Sequence, residues 1–404
     1  MSGNAHMHAV LLVAFVFLAA GPVLASQECA YLTVADAMVT IDTRGNSIAA
    51  RVPFGQYTTG PVVLSPDGSV AFFGTADGLA VLDTETNRVV ATIPLGIYSA
   101  GPISFSPDGA TAYATGTYEF GAPARAAVLF AIDVGTHQVV QTIEQAENAA
   151  VSPDGRTVYA VRTDVWFQSA EPPRLLFIDA RTGDVTGLLP NVPYARKIVV
   201  TPDSRSAYLG STGYPDSRIV RIDAMTRTLA GSIDLAGELT DLSLSSDGAM
   251  IYTTTYNTDI GNFVLLDLSS GTEVGRLAFE GVPDAFALTR DQRRAYILLR
   301  PDIRRQEPAV GVIDVATRTV AAMISLPAWG TAIDIATVPH GCSAPVCEGD
   351  CDSNGQVTVD EILAGVAMSL GEGELCAAYA GDAGGTVSVD ALIRAVTHAL
   401  NGCP

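Results

Sequence analysis

Short apolar runs separated by polar turns recur from about residue 30 to residue 338, and one copy shows the rule behind them. In Pro61–Gly96, PVVLSPDGSVAFFGTADGLAVLDTETNRVVATIPLG, the pattern predicts four strands: Pro61–Leu64, Val70–Phe73, Leu79–Leu82 and Arg88–Ile93. Ser65-Pro66-Asp67-Gly68 joins the first two. Its proline presets φ and its glycine accepts a left-handed conformation, so the strands meet in a tight hairpin. Asp83-Thr84-Glu85-Thr86-Asn87 makes the turn between strands three and four. An aspartate at the head of such a turn accepts backbone N–H groups two residues on, so both aspartates are read as structural rather than catalytic.

The tetrad returns as Ser106–Gly109, Ser152–Gly155, Thr201–Ser204, Ser245–Gly248 and, in degenerate form, Thr289–Gln292. The aliphatic-Asp step returns at Asp42, Asp83, Asp133, Asp179, Asp223, Asp267 and Asp314, at intervals of 41, 50, 46, 44, 44 and 47 residues. That period fits four strands per repeat and predicts an all-β propeller of four-stranded antiparallel blades. The first copy, Ala30–Val52, lacks an opening strand, whereas Gly330–Pro339 supplies one with nothing after it. Joining them gives seven full blades and a ring without a free strand edge between its ends. Cys29 and Cys342 flank the two joined strands and are expected to form a disulfide across the closure.

The repeats resemble the YVTN family of seven-bladed propellers. The likeness is carried by Ser106-Pro107-Asp108-Gly109 with Ala112-Tyr113, and by Ile313-Asp314 with Thr317, and it spans about residues 29–341. It implies the fold and leaves the activity open, because related propellers serve many purposes.

Composition narrows the possible partners and the compartment. A net charge of -20 and a pI near 4.5 oppose binding to phosphate backbones, so no nucleic-acid partner is expected. The apolar run Ala9–Ala20, followed by Val23-Leu24-Ala25 before Ser26, reads as a signal peptide over residues 1–25, although its head carries no Lys or Arg. The run is too short to span a bilayer, and no transmembrane segment is expected elsewhere. Six cysteines, Cys29, Cys342, Cys347, Cys351, Cys376 and Cys403, then point to disulfides in a secreted, extracellular or periplasmic protein.

In a propeller the loops joining strands two to three and four to one open on one face. Here they vary most in length, as at Gly116–Arg125, Arg162–Arg174 and Arg300–Pro308. The same face collects Tyr57, Tyr98, Tyr118, Trp166, Phe167, Tyr194, Tyr214, Tyr256 and Trp329. Arg196, Arg300, Arg304 and Arg305 add donors for an anionic group. One reading is a recognition surface for a glycan, a peptide or a protein; the other is that the rings pack against neighbouring loops. His137, His340 and His398 assemble neither a metal cluster nor a Ser-His-Asp arrangement, and the lone lysine, Lys197, is read as solvated or ion-paired. The alternatives are a propeller enzyme, lactonase-like or quinone-linked dehydrogenase-like, that works at the mouth with carboxylates, Arg and Tyr, and a purely architectural surface protein.

After the propeller (26–341) and a short linker (342–346), residues 347–404 follow a different rule. Asp350-Cys351-Asp352-Ser353-Asn354-Gly355-Gln356-Val357-Thr358-Val359-Asp360-Glu361 fits a twelve-residue EF-hand loop for Ca2+. Asp350, Asp352 and Asn354 give side-chain oxygens, Gln356 its carbonyl, Thr358 a direct or water-borne contact, and Glu361 both carboxylate oxygens. Val359, Ile362, Leu363 and Val366 then share a helical face. Thirty residues on, the pattern returns with ligands lost (Ala380, Gly384 and Ala391 at positions 1, 5 and 12), so that loop is expected to be metal-free. The tandem resembles type I dockerin domains, which implies a small α-helical EF-hand module with a cohesin-like or cell-surface partner. Where cellulosomal dockerins favour Ser-Thr, both copies carry Val-Asp, Val359-Asp360 and Val389-Asp390. Cys347, Cys351, Cys376 and Cys403 would make two disulfides inside the module, with connectivity open.

Overall fold

A computed structural model describes residues 27–401, apart from 35–36, 55–57, 118–126, 145, 163–172, 213–215, 259, 301–306, 328–329, 339–341, 343–348, 352–355, 372–375 and 380–386. The expected signal peptide therefore lies outside the described residues. Seven four-stranded antiparallel sheets follow one another as blades. Six are plain meanders, the second running through Thr58–Leu64, Val70–Thr75, Gly78–Asp83 and Arg88–Pro94. In the first blade the inner strand is Gly330–Val338, paired antiparallel with Gln27–Val34 in the register Cys29 to Ala336, Ala30 to Ile335 and Leu32 to Ile333. The ring is thus closed by the last strand of the propeller beside its first. The seven inner strands touch one another in turn around the axis, and this Gly330–Val338 strand sits between the inner strands of blades two and seven.

The apolar core is divided among the junctions between blades. Each junction has its own cluster, such as Phe72, Leu79 and Val81 of blade two against Ala112, Ala114 and Val128 of blade three. The closing blade supplies half of two of them. Leu32, Val39 and Ile41 pack on Tyr296, Leu298 and Val312 of blade seven, while Tyr31 and Met38 pack on Phe73 and Leu82 of blade two. Large buried side chains stabilise such contacts by about 1.5–3 kcal/mol each, so a ring that failed to close would expose the clusters on both sides of blade one. Tyrosines on the second strands tie blades together through their tips. The Tyr113 hydroxyl donates to the Ala180 carbonyl at 2.8 Å, and that of Tyr296 to the Asn46 side-chain oxygen at 2.6 Å.

The turns on the face opposite the variable loops follow two templates. In the first, Asp83 Oδ1 accepts the Thr86 N–H at 2.8 Å, and Asp133, Asp223, Asp267 and Asp314 do the same with residues three positions on. The residue after each of these is left-handed, including the non-glycines Asn87, His137, Arg227 and Arg318, with φ of 51–57°. In the second template the Ser106 hydroxyl donates to Asp108 at 2.6 Å while the Ala110 N–H donates to the same oxygen. The degenerate tetrads keep this geometry. Thr201 and Thr289 replace the serine hydroxyl, and Ser204 and Gln292 adopt the left-handed conformation that glycine takes elsewhere, at φ of 59° and 56°.

These donors hold ten turn aspartates below the ordinary carboxylate range. A Ser or Thr hydroxyl is the first cause at Asp67, Asp108, Asp133, Asp203, Asp247 and Asp267, and backbone N–H groups at Asp179, Asp223, Asp291 and Asp314.

The C-terminal module consists of α1 (Val359–Ser369), a 3-10 turn (Ala377–Tyr379) and α2 (Val389–Asn401). Helix α1 packs on α2 around Val357, Tyr379, Val387, Ala391 and Ala395. Gly365 lets the Tyr379 ring lie against α1, where a Cβ would collide with it. Cys351 and Cys376 are bonded; Cys347 and Cys403 lie outside the described residues. The expected staple is present, with Cys29 bonded to Cys342 at a Cα separation of 5.4 Å. No described helix is long and apolar enough to cross a membrane.

Two outcomes are expected. Replacing the closure disulfide in Cys29→Ala/Cys342→Ala frees the ends of the unfolded chain and should cost about 2–5 kcal/mol in urea unfolding with an unchanged far-UV spectrum; equal stability would show that strand pairing alone holds the ring. The turn aspartates have folded pKa values below the unfolded value of about 3.9, so their contribution is present above that pH and is lost as pH falls through the folded values. Melting temperature should be level from about pH 7 to about pH 5 and fall below about pH 4; a melting temperature maintained at about pH 2.5 would contradict this.

Candidate functional site

The mouth is built where inner strands begin and second strands end. In six of the seven inner strands the register slips at this end: between Thr58 and Val62, Ala100 and Ile103, Ala195 and Lys197, Leu239 and Asp241, Pro283 and Ala285, and between Ala332 and Gly330. Each slip leaves residues of the inner strand unpaired, and such bulges re-aim side chains. Arg196, Thr240 and Asp284 are among the residues released. These bulges extend the inner strands beyond the expected start at Pro61, to Thr58 in blade two. Their sequence signal is Gly60-Pro61 and Gly101-Pro102, a pair that interrupts ladder pairing without ending the strand.

A cleft of about 370 Å³ opens there across blades three, four and five. Ala100, Gly101, Pro102, Thr115 and Gly116 line it from blade three, together with the hydroxyl-bearing Ser99, Thr117 and Thr212. Tyr194 and Arg196 come from the start of the fifth inner strand, and Glu147 and Asn148 from the fourth. The Asn148 amide is already engaged, donating to the Ala195 carbonyl at 2.7 Å. Tyr194 is 42% exposed and Tyr98, on the neighbouring loop, 60%. Burial, chiefly, and the Glu147 carboxylate push the Tyr194 phenol above its usual value, against the pull of Arg196.

Across the axis the mouth is polar and internally paired. The Tyr256 hydroxyl donates to Glu238 Oε2 at 2.7 Å, the Arg300 guanidinium lies 5.6 Å from the centre of the Tyr256 ring, and Arg300 reaches Asp284 at 3.6 Å. The Glu238 hydrogen bond, first, and burial push the Tyr256 phenol up. Lys197 pairs with the buried Asp241 at 3.1 Å, and that carboxylate also accepts the Phe286 N–H, tying blades five, six and seven. The expected mouth residues therefore divide. Tyr98 and Tyr194 are exposed, Tyr256 and Arg300 are engaged with each other, and Tyr57, Tyr118, Trp166, Tyr214 and Trp329 lie outside the described residues. His137 sits in a turn on the opposite face and His398 on α2.

A second recess, about 240 Å³, lies between blades six and seven and is walled by Phe279, Ile297, Leu299, Val320 and Met323. Gly311 stands there where the same position of other blades holds Val39, Phe130, Leu176 or Val264, so a missing side chain accounts for the space.

In the C-terminal module Glu361 reaches back across its loop. One carboxylate oxygen accepts the Cys351 N–H at 2.7 Å, and the other accepts the Thr358 N–H and hydroxyl at 2.8 Å, while the Thr358 hydroxyl caps α1. Asp350, at the head of the loop, is buried. Asp352 and Asn354 lie outside the described residues, and among the described residues no three His, Cys, Asp or Glu side chains converge as a metal group. The helix face expected from periodicity is split. Ile362 packs inward, but Val359, Leu363, Val366 and Leu370 of α1, and Val389, Ile393, Val396 and Leu400 at the same positions of α2, are 38–79% exposed.

No family model matches the chain, and no curated protein matches it in sequence. Solved structures show the fold. A functionally unknown protein from Desulfotomaculum acetoxidans superposes with a TM-score of 0.61 at 18% identity, over 78% of this chain and 99% of that one. The hydrazine synthase of Kuenenia stuttgartiensis gives 0.56 at 17% identity over 70% and 90%. The Cps50 (Swd1) β-propeller domain of Myceliophteria thermophila gives 0.55 at 15% over 70% and 95%. At such identities the likeness is one of architecture, shared by an enzyme and by proteins of other kinds.

Proposed function

We propose that this chain is an exported recognition protein: the propeller mouth binds a glycan, peptide or protein, and a calcium-stabilised, dockerin-like module attaches it to a partner. The observation that carries the mouth reading is the cleft itself. It spans three blades, places the exposed Tyr194 ring beside the exposed Arg196, and falls within the roughly 300–1,000 Å³ typical of small-ligand sites. Planar side chains on a rigid rim offer contact area at low entropic cost.

Calcium belongs to the same reading. Asp350, Asp352, Asn354, Gln356, Thr358 and Glu361 are the oxygen donors a hard cation takes, and the reach of Glu361 to Cys351 brings the two ends of the loop together as chelation requires. Bound calcium would neutralise carboxylates that otherwise repel. The second loop, with Ala380, Gly384 and Ala391 at three ligand positions, is read as metal-free. The two matching rows of exposed aliphatic side chains on α1 and α2 support a docking role, with a cohesin-like or cell-surface protein as partner. Export agrees with the two disulfides, which persist in oxidising compartments.

Glycan and peptide arrays probed with the full chain test the mouth. Tyr98→Ala/Tyr194→Ala should lose binding at least about tenfold with an unchanged melting temperature, as expected for exposed anchors; retained binding would move the site elsewhere. Titration with calcium chloride should show one site that Glu361→Gln abolishes. EGTA should lower the melting transition of the module, by about 2.7 kcal/mol where free calcium had stood at a hundred times Kd; no shift would remove calcium from the reading.

A further inference from the structure

The ligand class can be taken further, on the premise that the mouth cleft is the binding site. We infer that the cleft recognises a carboxylated saccharide, a uronate unit, with Arg196 holding the carboxylate and Tyr194 stacking on the sugar ring. The chain carries 43 acidic residues against 23 Lys and Arg, so a basic side chain has many carboxylates with which to pair. On the mouth face Lys197 is paired with Asp241, Arg218 with Asp234 and Arg300 with Asp284. Arg196, released by its bulge into the cleft, makes no hydrogen bond or ion pair with the described residues. A guanidinium fork presents two parallel N–H donors, the geometry that matches a carboxylate.

The surroundings of Arg196 discriminate among anions. Glu147 lines the same cleft and lies close enough to Tyr194 to push its phenol up. Arg196 is the one cationic side chain among the residues that line the cleft, so its fork matches a single carboxylate, whereas the near-double charge of a phosphate ester would find no second cation there. The Tyr194 ring, two residues before Arg196 with the buried Ala195 between them, shares the cleft with the guanidinium. A flat apolar face beside a fork suits a pyranose ring bearing a carboxylate. The hydroxyl-bearing Ser99, Thr117 and Thr212 that line the cleft offer both donors and acceptors to ring hydroxyls.

Calorimetric titration of the full-length protein tests this with glucuronate and galacturonate oligomers, their methyl esters and the matching neutral oligomers. The acids should bind at least about tenfold more tightly than the esters and neutral sugars, as for loss of a charge-assisted bidentate pair. Arg196→Gln should erase that preference, Arg196→Lys should restore only part of it, and Tyr194→Ala should weaken acid and neutral sugar alike. All three should melt at the wild-type temperature. Equal binding of acid and neutral oligomers, with Arg196→Gln silent and Tyr194→Ala effective, would overturn the carboxylate assignment and leave the mouth reading standing. Binding of array peptides, and of no saccharide, would overturn the saccharide class. Saccharide binding indifferent to both residues would overturn the site together with the mouth reading.

Discussion

The pairing of Gly330–Val338 with Gln27–Val34 is the constraint on which the propeller depends. Its core is not one body but a set of clusters, each needing a blade on either side. A linear stack of blades would leave two sheets with an uncovered apolar face. Closure removes both at once, and it does so through backbone hydrogen bonds between a strand with no repeat of its own and a strand whose repeat covers only its other edge. The Cys29–Cys342 bond lies at the margin of the same pairing and fixes covalently what the strands hold by register.

The two faces of the ring are built by opposite rules. On one, every turn is specified by an aspartate whose carboxylate is occupied by hydroxyl and N–H donors, and the turns follow one another in close contact, Gly109 facing Pro66 and Gly155 facing Pro107. On the other, loops vary in length and the inner strands bulge at six of seven starts. The division frees the mouth to change without disturbing register, because the hairpins on the far side already set it. Within the mouth, the half that spans blades five to seven is held by internal ion pairs, whereas the half that spans blades three to five opens into a cleft lined by Tyr194 and Arg196.

Much of this was legible in the sequence because it rests on short-range chemistry repeated seven times. Blade count, closure and its staple follow from the Asp series and from the incomplete repeats at each end, and Thr289–Gln292 keeps the turn that its degenerate letters still encode. What escaped the pattern depends on contacts between elements. Periodicity placed Ile362 and Leu363 on one apolar face of α1, but nothing local tells that the Tyr379 ring occupies the side where Gly365 makes room, leaving Leu363 outside. The bulge that releases Arg196 has no glycine or proline of its own, unlike Gly60-Pro61 and Gly101-Pro102, so no local signal announces it. Lys197 beside Arg196 reads as a doublet of equals, yet one is paired and the other is not, because Asp241 comes from the next blade.

Closure also imposes an order on biogenesis. The strand that completes the first blade is made some three hundred residues after its partner, so during vectorial synthesis the N-terminal segment emerges with one edge unzipped and Cys29 as an open thiol. Blades two to six can assemble from neighbours already present, but the first must wait for nearly the whole polypeptide to clear the ribosome. In that interval the exposed edge is the chain's point of exposure to misassembly, and a truncated product ending anywhere before Gly330 would carry it permanently.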